Sequence, residues 1–244
     1  MNTPAERPIL FSAPMVQAIM AGIKTQTRRV ITKKTVSCTV DVDTQEVKQS
    51  HGPKCKGGSD CGCPASPYGK VGELLWVRET WATSQYCDKK KPSMLETPGN
   101  GYGWPVWYAA DNSVWWRGAS KGGPAFTTRG KWRPSIFMPR WGSRITLAIA
   151  SVRVERLHSI TEEDAMAEGV ERATLPSGNT VYRNYMVENN NSGPVVMPTI
   201  ICRTAVDSYQ TLWQKLHGPG AWEANPWVWA VTFTVSAMQC CKKE

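Results

Sequence analysis

ILFSAPMVQAIMAGIKTQTRRVI, residues 9–31, carries three elements in sequence. The apolar run Ile9 to Phe11 has strand character. Ser12 then stands as a helix N-cap, with Pro14 in the first turn, apolar Met15, Val16, Ile19 and Met20 at helical spacing, and Gly22 as the stop. Lys24 to Arg29 is polar and basic, and Val30 and Ile31 resume apolar character, so this stretch predicts an exposed edge segment leaving the helix.

Working outward, Leu74 to Trp81 and Ile145 to Leu157 have strand composition. Trp227, Trp229, Val231, Phe233 and Val235 alternate along one face of a further strand. A hairpin is predicted across Val106 to Trp116 through Asp111-Asn112. Ser159-Ile160-Thr161-Glu162-Glu163 opens a helix with a cap and an acidic first turn that stops at Gly169. A second helix over Val206 to Leu216 carries an apolar stripe at Val206, Tyr209, Leu212, Trp213 and Leu216. Three stretches lack periodicity, at about 32–66, 83–135 and 171–202, and are read as long insertions, the last as a mobile flap. The expectation is therefore α+β: a small mixed β-barrel with short flanking helices, one domain over 7–236, and a tail at 237–244.

Composition narrows the function classes. The longest apolar stretch, Trp227 to Val235, is nine residues and contains two threonines, too short to span a bilayer. Without an apolar signal segment after Met1, the chain reads as cytoplasmic, with no membrane partner. A net charge of +9 favours polyanionic partners, although a soluble surface produces the same excess. Twelve tryptophans, against seven Tyr and four Phe, supply core or stacking surfaces. Trp104, Trp107, Trp115, Trp116 and Trp132 interleave with Arg117, Lys121, Arg129, Lys131 and Arg133, a composition suited to single-stranded nucleic acid and equally to a packed insertion. His51, Cys55, Cys61 and Cys63 could hold a tetrahedral zinc, but one glycine separates the last two where structural sites use two to four residues. An ordinary loop of free thiols explains them as well, so no resident cofactor is expected and structural zinc stays open. Scattered histidines, and the lack of a Walker loop or a Gly-x-Gly-x-x-Gly, argue against a histidine triad and nucleoside triphosphate or dinucleotide chemistry.

Gly22, Lys24, Thr27 and Arg29 resemble the Gly-x-Lys-x-x-Glu-x-Arg signature of the ASCH domain family, with Thr27 where many members have Glu. Tracts such as Leu75-Trp76-Val77-Arg78-Glu79, Met138-Pro139-Arg140-Trp141 and Asn225-Pro226-Trp227-Val228-Trp229 resemble a phage and prophage branch of that family, and together the similar segments cover roughly half the chain. The resemblance implies a PUA-like barrel. Bacterial ASCH proteins that hydrolyse N4-acetylcytidine also carry Thr at this position. Similarity to them implies a catalytic set of Lys24, Thr27 and Glu168, the last reached through Ile160-Thr161-Glu162 and the helix that follows.

The chemistry of those residue types is consistent with that role. A desolvated lysine beside Arg28 and Arg29 has a lowered pKa and can act as a base, Thr27 is a nucleophile it could activate, and Glu168 could protonate a leaving amine. A solvated polar edge and a surface glutamate are the plain alternatives. Arg28, Arg29, Arg78, Glu79, Arg140 and Trp141 are the candidate substrate-binding residues, with an inward Glu79 expected to pair with Arg29 or Lys24 and Arg140-Trp141 able to stack a base. The expected partners are a nucleoside, a nucleotide or single-stranded RNA. Three readings stay open: an amidohydrolase of N4-acylated cytidine, a non-catalytic RNA or nucleotide-signal binding protein, and a phage structural or interaction protein. Oligomeric state is not legible.

Overall fold

The computed structural model describes residues 4–31, 66–95, 104–117, 128–187 and 201–238. Among the described residues the fold is α+β, with three α-helices, α1 (Ala13–Met20), α2 (Glu162–Ala167) and α3 (Ala205–His217), among strands and short 3-10 turns. The largest sheet contains β1 (Glu6–Leu10), β2 (Gln26–Val30), β3 (Leu74–Arg78), β7 (Ile145–Arg156) and β11 (Trp227–Met238) in the order β1-β3-β7-β11-β2. Two three-stranded sheets are also present among the described residues. One orders β4 (Trp81–Ala82), β5 (Trp104–Tyr108) and β6 (Val114–Arg117); the other orders β10 (Ile201–Cys202), β9 (Thr180–Arg183) and β8 (Arg172–Thr174). The chain divides into two compact units.

The first unit comprises Met1–Gly22, Val71–Ile149 and Phe233–Glu244. In it β1 runs parallel to β3, and β3 antiparallel to β7. Helix α1 buries Val16 and Ile19, the face that its apolar spacing predicts. The hairpin of β5 and β6 turns where expected, with Asn112 in the left-handed region (φ 54°) that Asn tolerates. Alternation along β5 turns Val106 and Tyr108 inward, where they join Trp81 and Met138 in a fully buried cluster against Trp115 and Trp141. Burying side chains of this size contributes about 1.5–3 kcal/mol each. Part of the predicted second irregular region is therefore a sheet.

The second unit comprises Ile23–Lys70 and Ala150–Thr232. Here β11 pairs antiparallel with β2, placing Trp229 opposite Arg29 and Val231 opposite Thr27. Helices α2 and α3 bury Ala165, Ala205, Tyr209 and Trp213 in one cluster with Leu157, Ile160, Val170 and Val228. Each has a threonine N-cap, Thr161 accepting from the Asp164 amide and Thr204 from the Asp207 amide. Two expectations are corrected in this unit. Residues 172–183, expected to be irregular, form the β8/β9 hairpin, its turn closed by the Leu175 amide on the Asn179 carbonyl. The polar segment after Gly22 is not exposed: Lys24, Gln26, Thr27 and Arg28 are each 2–3% exposed. In the tail, β11 continues to Met238, past the expected boundary at 236.

Candidate functional site

Gly22, at φ +72°, ends α1 in a conformation that a Cβ would strain, and the chain turns into β2. Its entry is tied to the end of α2 by the Thr25 amide, which donates to the Ala167 carbonyl at 2.8 Å. Gly169, at φ +87°, stops the helix just beyond α2, leaving Glu168 as its C-cap. These two glycine stops bring residues 144 positions apart together. Lys24 Nζ donates to the Glu168 carboxylate Oε2 at 2.8 Å and to the Glu168 carbonyl at 2.7 Å, with both side chains almost fully buried. Burial lowers the Lys24 pKa, opposed by the charge and hydrogen bond of Glu168, while Arg29 and Arg28 lower it further.

Arg28 is the hub of the cluster. Its Nη2 donates to Glu155 Oε1 at 2.6 Å and Asp164 Oδ2 at 2.7 Å, and its Nη1 to Glu168 Oε1 at 3.3 Å and Gln26 Oε1 at 2.5 Å. Gln26 Nε2 reaches Asp164 Oδ1 at 3.0 Å and Thr232 Oγ1 at 3.1 Å. Arg153 closes the outer side, on Asp164 at 3.0 Å and Glu155 at 3.4 Å. Lys24, Arg28 and Arg153 thus face Glu155, Asp164 and Glu168, three cations against three carboxylates. Burial alone would raise the Asp164 carboxyl, but hydrogen bonds from Gln26 and Arg28 and the arginine charges hold it below its ordinary value. Tyr209, packed behind the cluster, has its hydroxyl pushed far up by burial and by Glu168.

Strand alternation divides the predicted set. Gln26 and Arg28 face α2, so Thr27 and Arg29 emerge on the other face of β2. Thr27 is buried there. Lys24 and Glu168 meet, and Thr27 lies three residues further along the same segment, on the strand face opposite Gln26 and Arg28. Arg153, Glu155 and Asp164 were not singled out by sequence reasoning. The available signal was the i, i+2 spacing of Arg153 and Glu155 on one strand face, together with the acidic first turn of α2.

The remaining candidates lie in the first unit. Glu79, expected to pair with Arg29 or Lys24, is instead held by Arg144, with Nε on Oε1 at 2.8 Å and Nη2 on Oε2 at 2.9 Å. Arg144 Nη1 also donates to Asp111 Oδ2 and Ser113 Oγ, both at 2.9 Å, and the guanidinium lies 4.0 Å from the Tyr108 ring centroid. Burial raises the Glu79 carboxyl despite Arg144, whereas Arg144 is held far above its ordinary value by the two carboxylates despite burial. Arg78 donates to the Ile136 carbonyl at 3.1 Å and stacks 4.6 Å over Trp76. Arg140 clamps Glu6 with two bonds of 2.6 and 3.0 Å. Trp141 is edge-on to Trp81 and donates to the Leu95 carbonyl, so its ring belongs to the core. In the aromatic and basic segment, Trp115 is core, Arg133 caps the Cys87 and Lys90 carbonyls, and Arg129 lies 4.2 Å over a partly exposed Trp132. Lys121 and the candidate zinc ligands His51, Cys55, Cys61 and Cys63 lie outside the described residues. Among the described residues no group of His, Cys, Asp and Glu could hold a metal, and Cys87 and Cys202 are buried free thiols.

Compared with family models, curated proteins and solved structures, the chain matches none.

Proposed function

We propose that this chain is a nucleobase- or nucleotide-handling protein of the ASCH type, built on a PUA-like barrel, and that it hydrolyses the acyl amide of N4-acylated cytidine. One observation carries the reading. The buried Lys24–Glu168 pair joins two members of the catalytic set that the resemblance implies, across 144 residues, at 2.8 Å. In an apolar interior an ammonium and a carboxylate in hydrogen-bond contact can exchange a proton, and the lowered Lys24 pKa brings its neutral, basic form closer to neutral pH. Neutral Lys24 accepts the proton of the attacking hydroxyl, the acyl carbon to nitrogen bond breaks, and the departing amine takes a proton from the pair. Water then releases the acid.

Thr27 is the natural oxygen nucleophile if substrate binding brings its hydroxyl within about 3 Å of Lys24. If it does not, the attacking hydroxyl belongs to water. The charge balance of the cluster favours a second reading, a non-catalytic binding fold, because a buried network in which every ion is matched is also what a structural tie requires.

Acetate release from N4-acetylcytidine decides between the two. The expected result is slow turnover that Glu168→Gln, which keeps the shape of the side chain, lowers by about 100-fold or more. Thr27→Ala lowers it to the same degree if the threonine is the nucleophile and leaves most of it if water attacks. No acetate over hours from folded wild-type protein rejects the hydrolytic reading. Lys24→Ala is a poorer probe, since removing it leaves a buried carboxylate without its nearest cation.

A further inference from the structure

The ion network of the second unit runs from the interior to solvent. Lys24 and Glu168 stand at its inner end with side chains 1% and 4% exposed, Asp164 and Glu155 follow at 19% and 17%, and Arg153 closes it at 46%. Of its three cations only Lys24 can lose a proton, because arginine keeps its charge at any pH at which proteins stay folded. Arg28 joins the two ends. Its guanidinium is buried between three carboxylates and sits closer to the outer two, Glu155 and Asp164 at 2.6 and 2.7 Å, than to Glu168 at 3.3 Å. The outer carboxylates therefore draw the charge of Arg28 outward, and Glu168 keeps the Lys24 ammonium, at 2.8 Å, as its nearest cation.

Charges in an interior act on one another over a longer range than charges in water, so a change at the outer end is felt at Lys24. Removing an outer carboxylate leaves Arg28 free to turn toward Glu168, where it competes with Lys24, and takes a negative charge from the network; both effects disfavour the ammonium. Removing Arg153 does the reverse, since Asp164 and Glu155 then stand with one cation fewer. We infer that Asp164, Glu155 and Arg153 act on the Lys24–Glu168 pair through Arg28, as positioning residues that set the pH above which Lys24 is a base. The other groups around the pair are a fixed background. Arg28 and Arg29 on β2 disfavour the ammonium and Glu168 favours it, Gln26 and Thr232 are uncharged, and Tyr209 on α3 stays neutral because burial and Glu168 hold its hydroxyl far above its ordinary value. The inference deepens the hydrolytic reading, and its consequence for turnover rests on that reading.

The test follows the Lys24 side chain itself, by NMR of the ¹³C,¹⁵N-labelled full-length protein, through the pH dependence of its Cε–Hε resonances assigned through bonds from the backbone. Asp164→Asn should lower the titration midpoint by about one pH unit, and Arg153→Gln should raise it by about half a unit, less at high salt because Arg153 is partly exposed. Opposite directions are the mark of charge, since a merely loosened structure would return the lysine toward its ordinary value in both variants. Two upward shifts or two unchanged midpoints overturn the inference, and so does a Lys24 that stays charged in all three proteins wherever they are folded. If Asp164→Asn does not fold, Glu155→Gln removes the same charge and should lower the midpoint, and a downward or absent shift in Arg153→Gln is by itself enough to overturn the inference. The acid limb of the pH–rate profile for acetate release from N4-acetylcytidine should move with the midpoint. Midpoints that move as stated without acetate release leave the charge tuning standing and reject the hydrolysis; acetate release with unmoved midpoints does the reverse.

Discussion

Each unit buries a charged cluster, and the two differ in which charges can change. In the first unit the cation is Arg144, planar and permanently protonated, forked between Glu79 and Asp111 and backed by Tyr108. Its guanidinium gives up no proton near neutral pH, so this cation acts as a clamp between the end of β3, the hairpin turn and the start of β7. In the second unit Arg28 plays the same forked role, but a lysine is added, and lysine is the basic side chain whose protonation burial can reverse. Two buried networks of similar make-up therefore differ by one titratable cation, and that residue makes the second a candidate for chemistry.

The comparison is broken most severely at Arg144. Arg144→Ala leaves two carboxylates without their cation, Glu79 fully buried, and should cost about 3–5 kcal/mol by chemical denaturation. A loss under about 1 kcal/mol would mean that the cluster is not a clamp.

A smaller effect sharpens the comparison through pH. Asp164 has its pKa depressed in the folded state, so its contribution is fully present above the unfolded value near 4 and is lost as pH falls through the folded one. Glu79 runs the other way: its raised folded pKa means the cost of burying its charge appears as pH climbs above the ordinary carboxylate range. Asp164→Asn should flatten the acid limb of a thermal-midpoint profile below about pH 4, and Glu79→Gln should not. Equal flattening by both would refute the assigned directions.

The smallest effect is expected at the surface. Arg140 and Glu6 are joined by two short bonds but stand 41% and 36% exposed, so Arg140→Ala should change stability by at most about 1 kcal/mol, and less in high salt. A larger, salt-independent loss would place Arg140 with the buried clamps.

The local elements were legible from local signals. Ser12, Pro14 and Gly22 bound α1, Thr161 with its acidic turn bounds α2, and Asp111-Asn112 turns the hairpin, each because a backbone requirement is met within a few residues. The β8/β9 hairpin was missed because β8, exposed along Arg172–Thr174, carries no alternating apolar signal, and β9 is only four residues long. By itself, then, the sequence determined the α+β class, both longer helices and the main strands. Tertiary structure alone decided the burial and partners of the charged residues. Lys24 to Arg29 is polar enough to read as a solvated edge, and nothing within the segment shows that α2 and β7, more than a hundred residues later, supply the carboxylates that make its burial affordable. Pairing of that kind depends on which elements meet in space, and so it exists only once the chain is folded.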